Sequence, residues 1–329
     1  MIEELLPNIY KVEIPLPGSP LKEVNSYVIR DSTHSLIIDT GLNRKECMDA
    51  MQAGLHKLGV KLGETDFFIT HLHADHFALT PRLVTPTSRV YLSRPEAERH
   101  ARLSNGSNWD DMAAQARLHG FPEGELESAL QNHPGYRYGA RLDMPLSVVE
   151  QGDTIEIGTY GFRCVATPGH TKGHMCLFEP NEKMLFSGDH ILGDITPNIQ
   201  AWFDEWNPLS EYLFNLDKVC EMDVELALPG HRSIITNCKK RIQELKHHHR
   251  KRAEEVLSIL ERGSKSAFQV ASQMSWDIVC ESWEVFPVAQ KWFATGEAIA
   301  HLKYLEEQQQ VFREQVGGKV TYSLFPGRA

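Results

Sequence analysis

Three histidines and an aspartate crowd into six residues, His71-Leu72-His73-Ala74-Asp75-His76. Neutral imidazoles and a carboxylate are borderline donors that suit zinc or iron rather than magnesium. With 16 His in the 329-residue chain, three at prescribed offsets arise by chance at about one starting position in 10⁴, and the required Asp makes the pattern rarer still. Alternate residues of an extended segment share a face, so His71 and His73 can point one way while Asp75 and His76 serve an adjacent position. That arrangement suits two metals and needs more ligands than the motif holds. His170, Asp189 and His231 supply them, with Asp189 the natural bridge because a carboxylate can contact both ions. A histidine taken alone is more often a hydrogen-bonded core or surface residue. Only as a group do these residues point to a metal centre.

The elements that must carry these residues are legible as short apolar runs. Tyr27-Val28-Ile29 and Leu36-Ile37-Ile38 read as a hairpin ending in Asp39-Thr40-Gly41, and a helix follows over roughly 43–58. Phe67-Phe68-Ile69-Thr70 runs as a strand into the histidine cluster. Residues 162–167 lead into Pro168-Gly169-His170, 184–187 into Gly188-Asp189, and 224–228 into Pro229-Gly230-His231. Strands that each deliver a His or Asp at the C-terminal end are how an α/β scaffold gathers a site from distant residues.

In order along the chain, five blocks resemble the signature of the metallo-β-lactamase superfamily. They are Asp39 in Ile38-Asp39-Thr40-Gly41, the HxHxDH element at His71, His73, Asp75 and His76, His170 in Thr167-Pro168-Gly169-His170, Asp189 in Ser187-Gly188-Asp189-His190, and His231 in Leu228-Pro229-Gly230-His231. The resemblance covers residues 1–236 and implies an αββα sandwich. It implies one metal on His71, His73 and His170, a second on Asp75, His76 and His231, and Asp189 bridging, with Asp39 behind the ligands, orienting a histidine and its loop. Zinc β-lactamases of the common types lack a bridging Asp at this point, whereas glyoxalase II, lactonases and ribonucleases of the superfamily have one, so antibiotic hydrolysis is not expected. Persulfide dioxygenases share HxHxDH around a single iron, which keeps mononuclear oxygen chemistry as a lesser alternative. Two adjacent cations would lower the pKa of a water between them to near neutrality, giving a bridging hydroxide nucleophile while one ion polarises the substrate oxygen. Asp75, the candidate catalytic residue, can accept a hydrogen bond from that hydroxide and later a proton. For His174 and His190, each close to a ligand, a structural hydrogen bond is favoured over substrate contact.

Between the first motif and His170, residues 95–140 read as a helical insertion whose aromatics need something to pack against; Trp109 and Tyr136 are its candidate contributions to a substrate pocket. Residues 237–329 carry 14 Lys/Arg against 11 Asp/Glu, net +3, and the preceding 236 carry 20 against 33, net −13, which marks a domain boundary near 236. Residues 239–252 hold seven Lys/Arg and one acid, yet Ile242, Leu245, His249, Ala253, Val256 and Leu260 form one helical stripe, so an amphipathic helix with a solvated basic face is expected rather than a polyanion site. Further helices at 267–274 and 288–310, then a hairpin over 311–324 turning at Gly317-Gly318, resemble a winged helix. That combination is similar to the superfamily branch that includes endoribonucleases and polyketide-releasing thioesterases. Lys291 and Lys303 against Glu297, Glu306 and Glu307 on the third helix disfavour DNA binding.

Composition is that of an ordinary folded protein, 41% hydrophobic and 24% charged. The N-terminus has no basic segment ahead of an apolar run, and no eighteen apolar residues occur together, so neither export nor membrane insertion is indicated. Six scattered cysteines without CxxC spacing argue against a disulfide framework, and a reducing cytoplasm fits. The expected protein is a dinuclear metal hydrolase, with two divalent transition-metal ions, zinc first and iron or manganese as alternatives. It acts on a small-molecule thioester or acyl ester. A metal-dependent endoribonuclease is the alternative, and RNA the one nucleic acid kept open. The sequence carries no mark of oligomeric state.

Overall fold

A computed structural model of the chain describes residues 1–103, 107–139, 143, 145–278 and 280–326. The first sheet runs in sequence order from edge to edge: β1 (Ile2–Leu6), β2 (Ile9–Pro15), β3 (Glu23–Arg30), β4 (Ser35–Ile38), β5 (Thr65–Phe68), β6 (Val90–Ser93) and β7 (Ser147–Val149). Its first four strands pair antiparallel, and β4 to β7 pair parallel. The second sheet has the order β12 (Leu226–Pro229), β11 (Met184–Gly188), β10 (Met175–Glu179), β9 (Tyr160–Ala166) and β8 (Thr154–Ile157), antiparallel except for the β11–β12 pair.

Successive side chains on a strand point to opposite faces, and here both faces are apolar. Tyr27, Ile29, Ile38 and Phe68 of the first sheet meet Phe162, Leu177, Phe186 and Leu228 of the second in one buried cluster between the sheets. Their neighbours Val28, Ile37 and Phe67 face outward and are covered by Cys47, Met51 and Leu55 of α1 (Lys45–Leu58). On the far side, Cys176, Phe178, Leu185 and Ala227 turn away from the inter-sheet core into a third cluster built largely of helices. The result is the expected four-layer αββα sandwich.

After β5 comes a single helical turn, α2 (Ala74–Phe77). The insertion forms α3 (Arg94–Leu103), α4 (Ser107–Leu118), α5 (Glu123–Gln131) and α6 (Pro134–Tyr138). On the outer face of the second sheet lie α7 (Pro208–Cys220) and α8 (Cys238–Leu260), followed by α9 (Ala267–Ala271), α10 (Val288–Glu307) and the hairpin β13 (Val311–Val316) and β14 (Lys319–Leu324). The hairpin turns at Gly317 and Gly318, with φ of 58° and 79°, the pair of left-handed residues that matches strand twist. Among the described residues, three helices and a hairpin follow residue 236 in the expected order. The helix that would read a groove, α10, is enclosed for most of its length, and Trp292, Ala298, Ile299 and Leu302 are fully buried in the same cluster as Leu185 and Tyr212. Its Lys291 and Lys303 are buried as well, bonded to Glu125 Oε2 at 2.8 Å and to the Phe203 carbonyl at 2.7 Å. One hydrophobic cluster thus runs across position 236 without a break. Among the described residues no helix is long and apolar enough to cross a membrane.

Candidate metal centre

Strands β4 and β5 are parallel, and so are β9, β11 and β12 in direction, so their C-terminal ends gather at one rim of the sandwich. There the donor atoms of His71, His73 and His170, of His71, His76 and Asp189, and of Asp75, His76 and His231 each lie within 4.8 Å of one another. The loops that carry them are stitched together by backbone bonds: Thr40 N donates to the His76 carbonyl, Gly230 N to that of Gly188, and Asn25 N to that of Gly230, at 2.7 to 2.9 Å.

Four of the five candidate ligand rings are held from behind. Asp39, in the left-handed region at φ 56°, accepts from the Thr70 N–H at 2.9 Å, the Thr70 hydroxyl at 2.8 Å and His76 Nδ1 at 2.7 Å. Nδ1 of His231 donates to the Glu23 carbonyl at 2.7 Å, and Nδ1 of His170 to the Asn198 carbonyl at 3.0 Å. The Thr70 hydroxyl lies 3.0 Å from Nδ1 of His71. These tethers fix the tautomers: with its Nδ1 proton engaged, each neutral His76, His170 and His231 turns an Nε2 lone pair inward.

Those lone pairs then face each other. Nε2 of His76 and of His231 are 3.2 Å apart, His170 Nε2 is 2.9 Å from His73 Nδ1, and Asp189 carboxylate oxygens lie 3.5 to 3.6 Å from His76, His170 and His231. His71 Nε2 and Asp189 Oδ1 are buried without any hydrogen-bond partner among the described residues. Imidazole nitrogens and carboxylate oxygens that converge this closely are the donor set of a divalent transition metal, and such an ion would satisfy the two orphaned atoms. The residues fit such an ion.

The local electrostatics agree. Burial would raise the carboxyls of Asp75 and Asp189, but the imidazoles of His76 and His231 outweigh it and hold both below the usual range. Burial alone would depress His76 and His231; the carboxylates of Asp189, Asp75 and, for His76, Asp39 raise both instead. His71 and His73 are driven well down, by burial first and then by neighbouring cationic groups. The site holds anionic carboxylates beside His71 and His73, which stay neutral, and beside His76 and His231, which those carboxylates draw toward positive charge, the charge a bound cation would supply in their place.

His174 sits behind Asp189: its Nε2 accepts the Asp189 N–H at 3.1 Å while Nδ1 meets the Thr167 hydroxyl at 2.7 Å. His190 is fully buried; its N–H donates to the Ser187 carbonyl at 3.0 Å and its own carbonyl accepts from the Tyr212 hydroxyl at 2.9 Å. Sequence reasoning missed Thr70, Asn198 and Glu96. Glu96, fully buried, accepts from the N–H of Leu72 and of Gly173, both at 3.3 Å, and so ties the first motif to the His170 loop.

A cleft of about 1280 Å³ opens over His73, Asp75, His170 and Asp189. The insertion supplies part of its wall, with Trp109 and Tyr138, and Trp202, Phe203 and Phe293 line it as well. Tyr136 is not in that lining; half exposed, it meets Trp109 edge-on at 5.4 Å. Arg44, Arg99, Arg102, Arg137 and Lys172 also line the cleft, against Asp111 and Glu205 besides the candidate ligands. The guanidinium groups of Arg44 and Arg137 lie 5.8 and 5.3 Å from the Tyr138 ring centre. No described residue of α8 reaches the cleft. Two of that helix's cations are used internally: Arg241 donates to the carbonyls of Leu192 and Ile195, and Arg252, 6% exposed, pairs with Glu297.

Residues 20–247 match the metallo-beta-lactamase superfamily. Over 96% of its length the chain is 25% identical to the probable metallo-hydrolase YqjP of Bacillus subtilis, covering 97% of that protein. It is also 25% identical over 97% of its length to the atrochrysone carboxyl ACP thioesterase of Aspergillus fumigatus, covering 87% of that protein. A metallo-beta-lactamase family protein from Thermus thermophilus superposes with a TM-score of 0.78 at 28% identity, covering 98% of this chain and all of that one.

Proposed function

The chain belongs to the metallo-β-lactamase superfamily, and from that membership we propose that this metal-dependent hydrolase cleaves an acyl thioester. The observation that carries the reading is the cleft, whose lining combines aromatic side chains and several cations with the candidate metal ligands. An apolar acyl group gains about 25 cal/mol per Å² by burial against Trp109, Tyr138 and Phe293. Arg99, Arg102, Arg137 and Lys172 suit a phosphate on the leaving arm, as in coenzyme A or the pantetheine of a carrier protein. The thioesterase name of the fungal relative, which aligns through the segment after residue 236, points the same way.

In this reading His71, His73 and His170 would hold one ion and Asp75, His76 and His231 the other, with Asp189 a ligand available to both; zinc is the ion we propose from the donor set. Bound there, a pair of divalent ions supplies Lewis-acid polarisation of the acyl oxygen and an activated water. Asp75, which lines the cleft, would present a carboxylate oxygen to accept a hydrogen bond from such a water and, later, a proton. Asp39, Thr70 and the carbonyls of Glu23 and Asn198 keep the rings aimed. The compartment we propose is the cytoplasm, on the strength of six unpaired cysteines. We do not favour the ribonuclease alternative, because the basic face of α8 that motivated it is not part of the cleft.

The test is metal analysis followed by thiol release from acyl-coenzyme A, acyl-carrier-protein and acyl-glutathione thioesters, alongside lactone and RNA substrates. Close to two metal equivalents and hydrolysis of a phosphate-bearing thioester are expected. Trp109→Ala should raise KM with metal content unchanged. Salt-sensitive RNA cleavage without thioesterase activity would reverse the assignment, and one tight iron with oxygen consumption would move it to a dioxygenase.

A further inference from the structure

Asn198 sits between the candidate ligand His170 and the helices that follow residue 236. Its carbonyl accepts the Nδ1–H of His170 at 3.0 Å, and its side-chain Nδ2 donates to Glu297 Oε2 on α10 at 2.8 Å. The second contact settles the amide orientation, since a carboxylate only accepts. Glu297 Oε1 in turn receives two N–H groups of Arg252 on α8, both at 3.3 Å. Arg252 is pinned on its other sides by Glu255 at 2.8 Å, by the Ser275 carbonyl at 2.5 Å and by the Trp276 ring, 4.3 Å from its guanidinium carbon. Glu297 and Arg252 are 8% and 6% exposed.

A buried ion pair stabilises a fold little better than an apolar pair of the same volume, so one that is fully hydrogen-bonded and ends on a ligand's own tether asks for another use. We propose that Glu297 is a positioning residue for His170, acting through Asn198, with Arg252 the counter-charge that lets its carboxylate be buried. The Glu297 acceptor fixes the loop carbonyl that sets the tautomer and the direction of that ring, and so makes one of the two metal positions depend on the segment after residue 236. The inference rests on the reading of His170 as a metal ligand. Outer partners of ligand histidines set affinity by about 10- to 100-fold, the scale expected here.

Removing one member alone leaves a buried charge unpaired and could unfold the protein. The test therefore compares two charge-free doubles, Glu297→Gln with Arg252→Met, and Glu297→Leu with Arg252→Met. Only the first retains an acceptor for Asn198 Nδ2. Cobalt(II) uptake, followed by visible absorption in competition with a chelator, reports affinity and ligand geometry without turnover. The Gln double should take up both equivalents as the wild type does. The Leu double should bind one of the two equivalents about 10- to 100-fold more weakly, with an altered spectrum, and lose kcat more than KM while its Tm stays near that of the Gln double. Equal affinity in the two doubles overturns the proposal, as does metal loss in the Leu double that only tracks its unfolding. A wild type that takes up no metal would instead sink the hydrolase reading, and this inference with it.

Discussion

The residues of the centre are separated in sequence but depend on a few atoms of clearance. Gly230 shows how few: a Cβ there would lie 2.6 Å from Asp189 Oδ1 and 2.7 Å from His76 Cε1, although its φ is not in the left-handed region. Gly230→Ala should therefore cost metal rather than fold, with bound metal falling well below one equivalent in elemental analysis and far-ultraviolet circular dichroism unchanged. Gly63→Ala, where nothing lies within 4 Å of the new carbon, is the matched control and should retain full metal. Full metal in Gly230→Ala would mean that Asp189 and His76 have more freedom than their contacts imply. The candidate ligands themselves were legible because HxHxDH is contiguous and the other three follow strand ends. Their tethers were not. Two of these are backbone carbonyls, of Glu23 and Asn198, which any residue provides, and Glu297 lies 99 positions from the Asn198 it bonds.

Among the elements, α6 illustrates a dependence on pH. Its N-terminal cap is His133, whose Nδ1 accepts the Gly135 N–H at 3.0 Å and can do so only while unprotonated. Burial, with Arg99 nearby, pushes the His133 pKa down to about 4. The unfolded chain binds this proton near pH 6.5, so the unfolded state holds more protons between those values. The stability His133 contributes is complete above about pH 6.5 and is lost as pH falls toward 4. His133→Asn keeps a capping acceptor; urea midpoints should fall less steeply between pH 6.5 and 4 than in the wild type, while differing by about 1 kcal/mol or less at pH 7. An identical slope in the two proteins would remove His133 from the titration. The other lesson at this scale is α8. Its stripe, His249 included, was readable from periodicity and is buried as expected. Periodicity said nothing of Arg241 and Arg252 at the margins, whose partners come from loops and from α10. A charge test of that helix belongs on exposed Lys239, Lys240, Arg250 and Lys251, and changing all four to Gln should leave thioester turnover within about twofold of wild type.

For the whole molecule, the charge step near residue 236 is a property of the surface and the continuous hydrophobic cluster a property of the interior, and only the first can be counted from a sequence. Ile242, Leu245 and Val256 on α8 and Trp292, Ile299 and Leu302 on α10 share that cluster with Leu185 and Tyr212. Ending the chain at 236 would expose one face of the second sheet and α7, and the shortened protein should aggregate. The full chain should melt in one calorimetric transition with equal calorimetric and van't Hoff enthalpies; two resolved transitions would show that the segments are energetically separate. The contact between the halves also carries its own optical label. Trp202, on the cleft, and Trp292, on α10, stack with ring centres 4.2 Å apart and planes 28° from parallel. Indoles that close share their excited states, so the pair should produce a two-signed near-ultraviolet circular dichroism couplet. That couplet should survive Trp109→Ala, vanish in Trp202→Phe, and report in an unlabelled sample whether α10 is seated against the cleft.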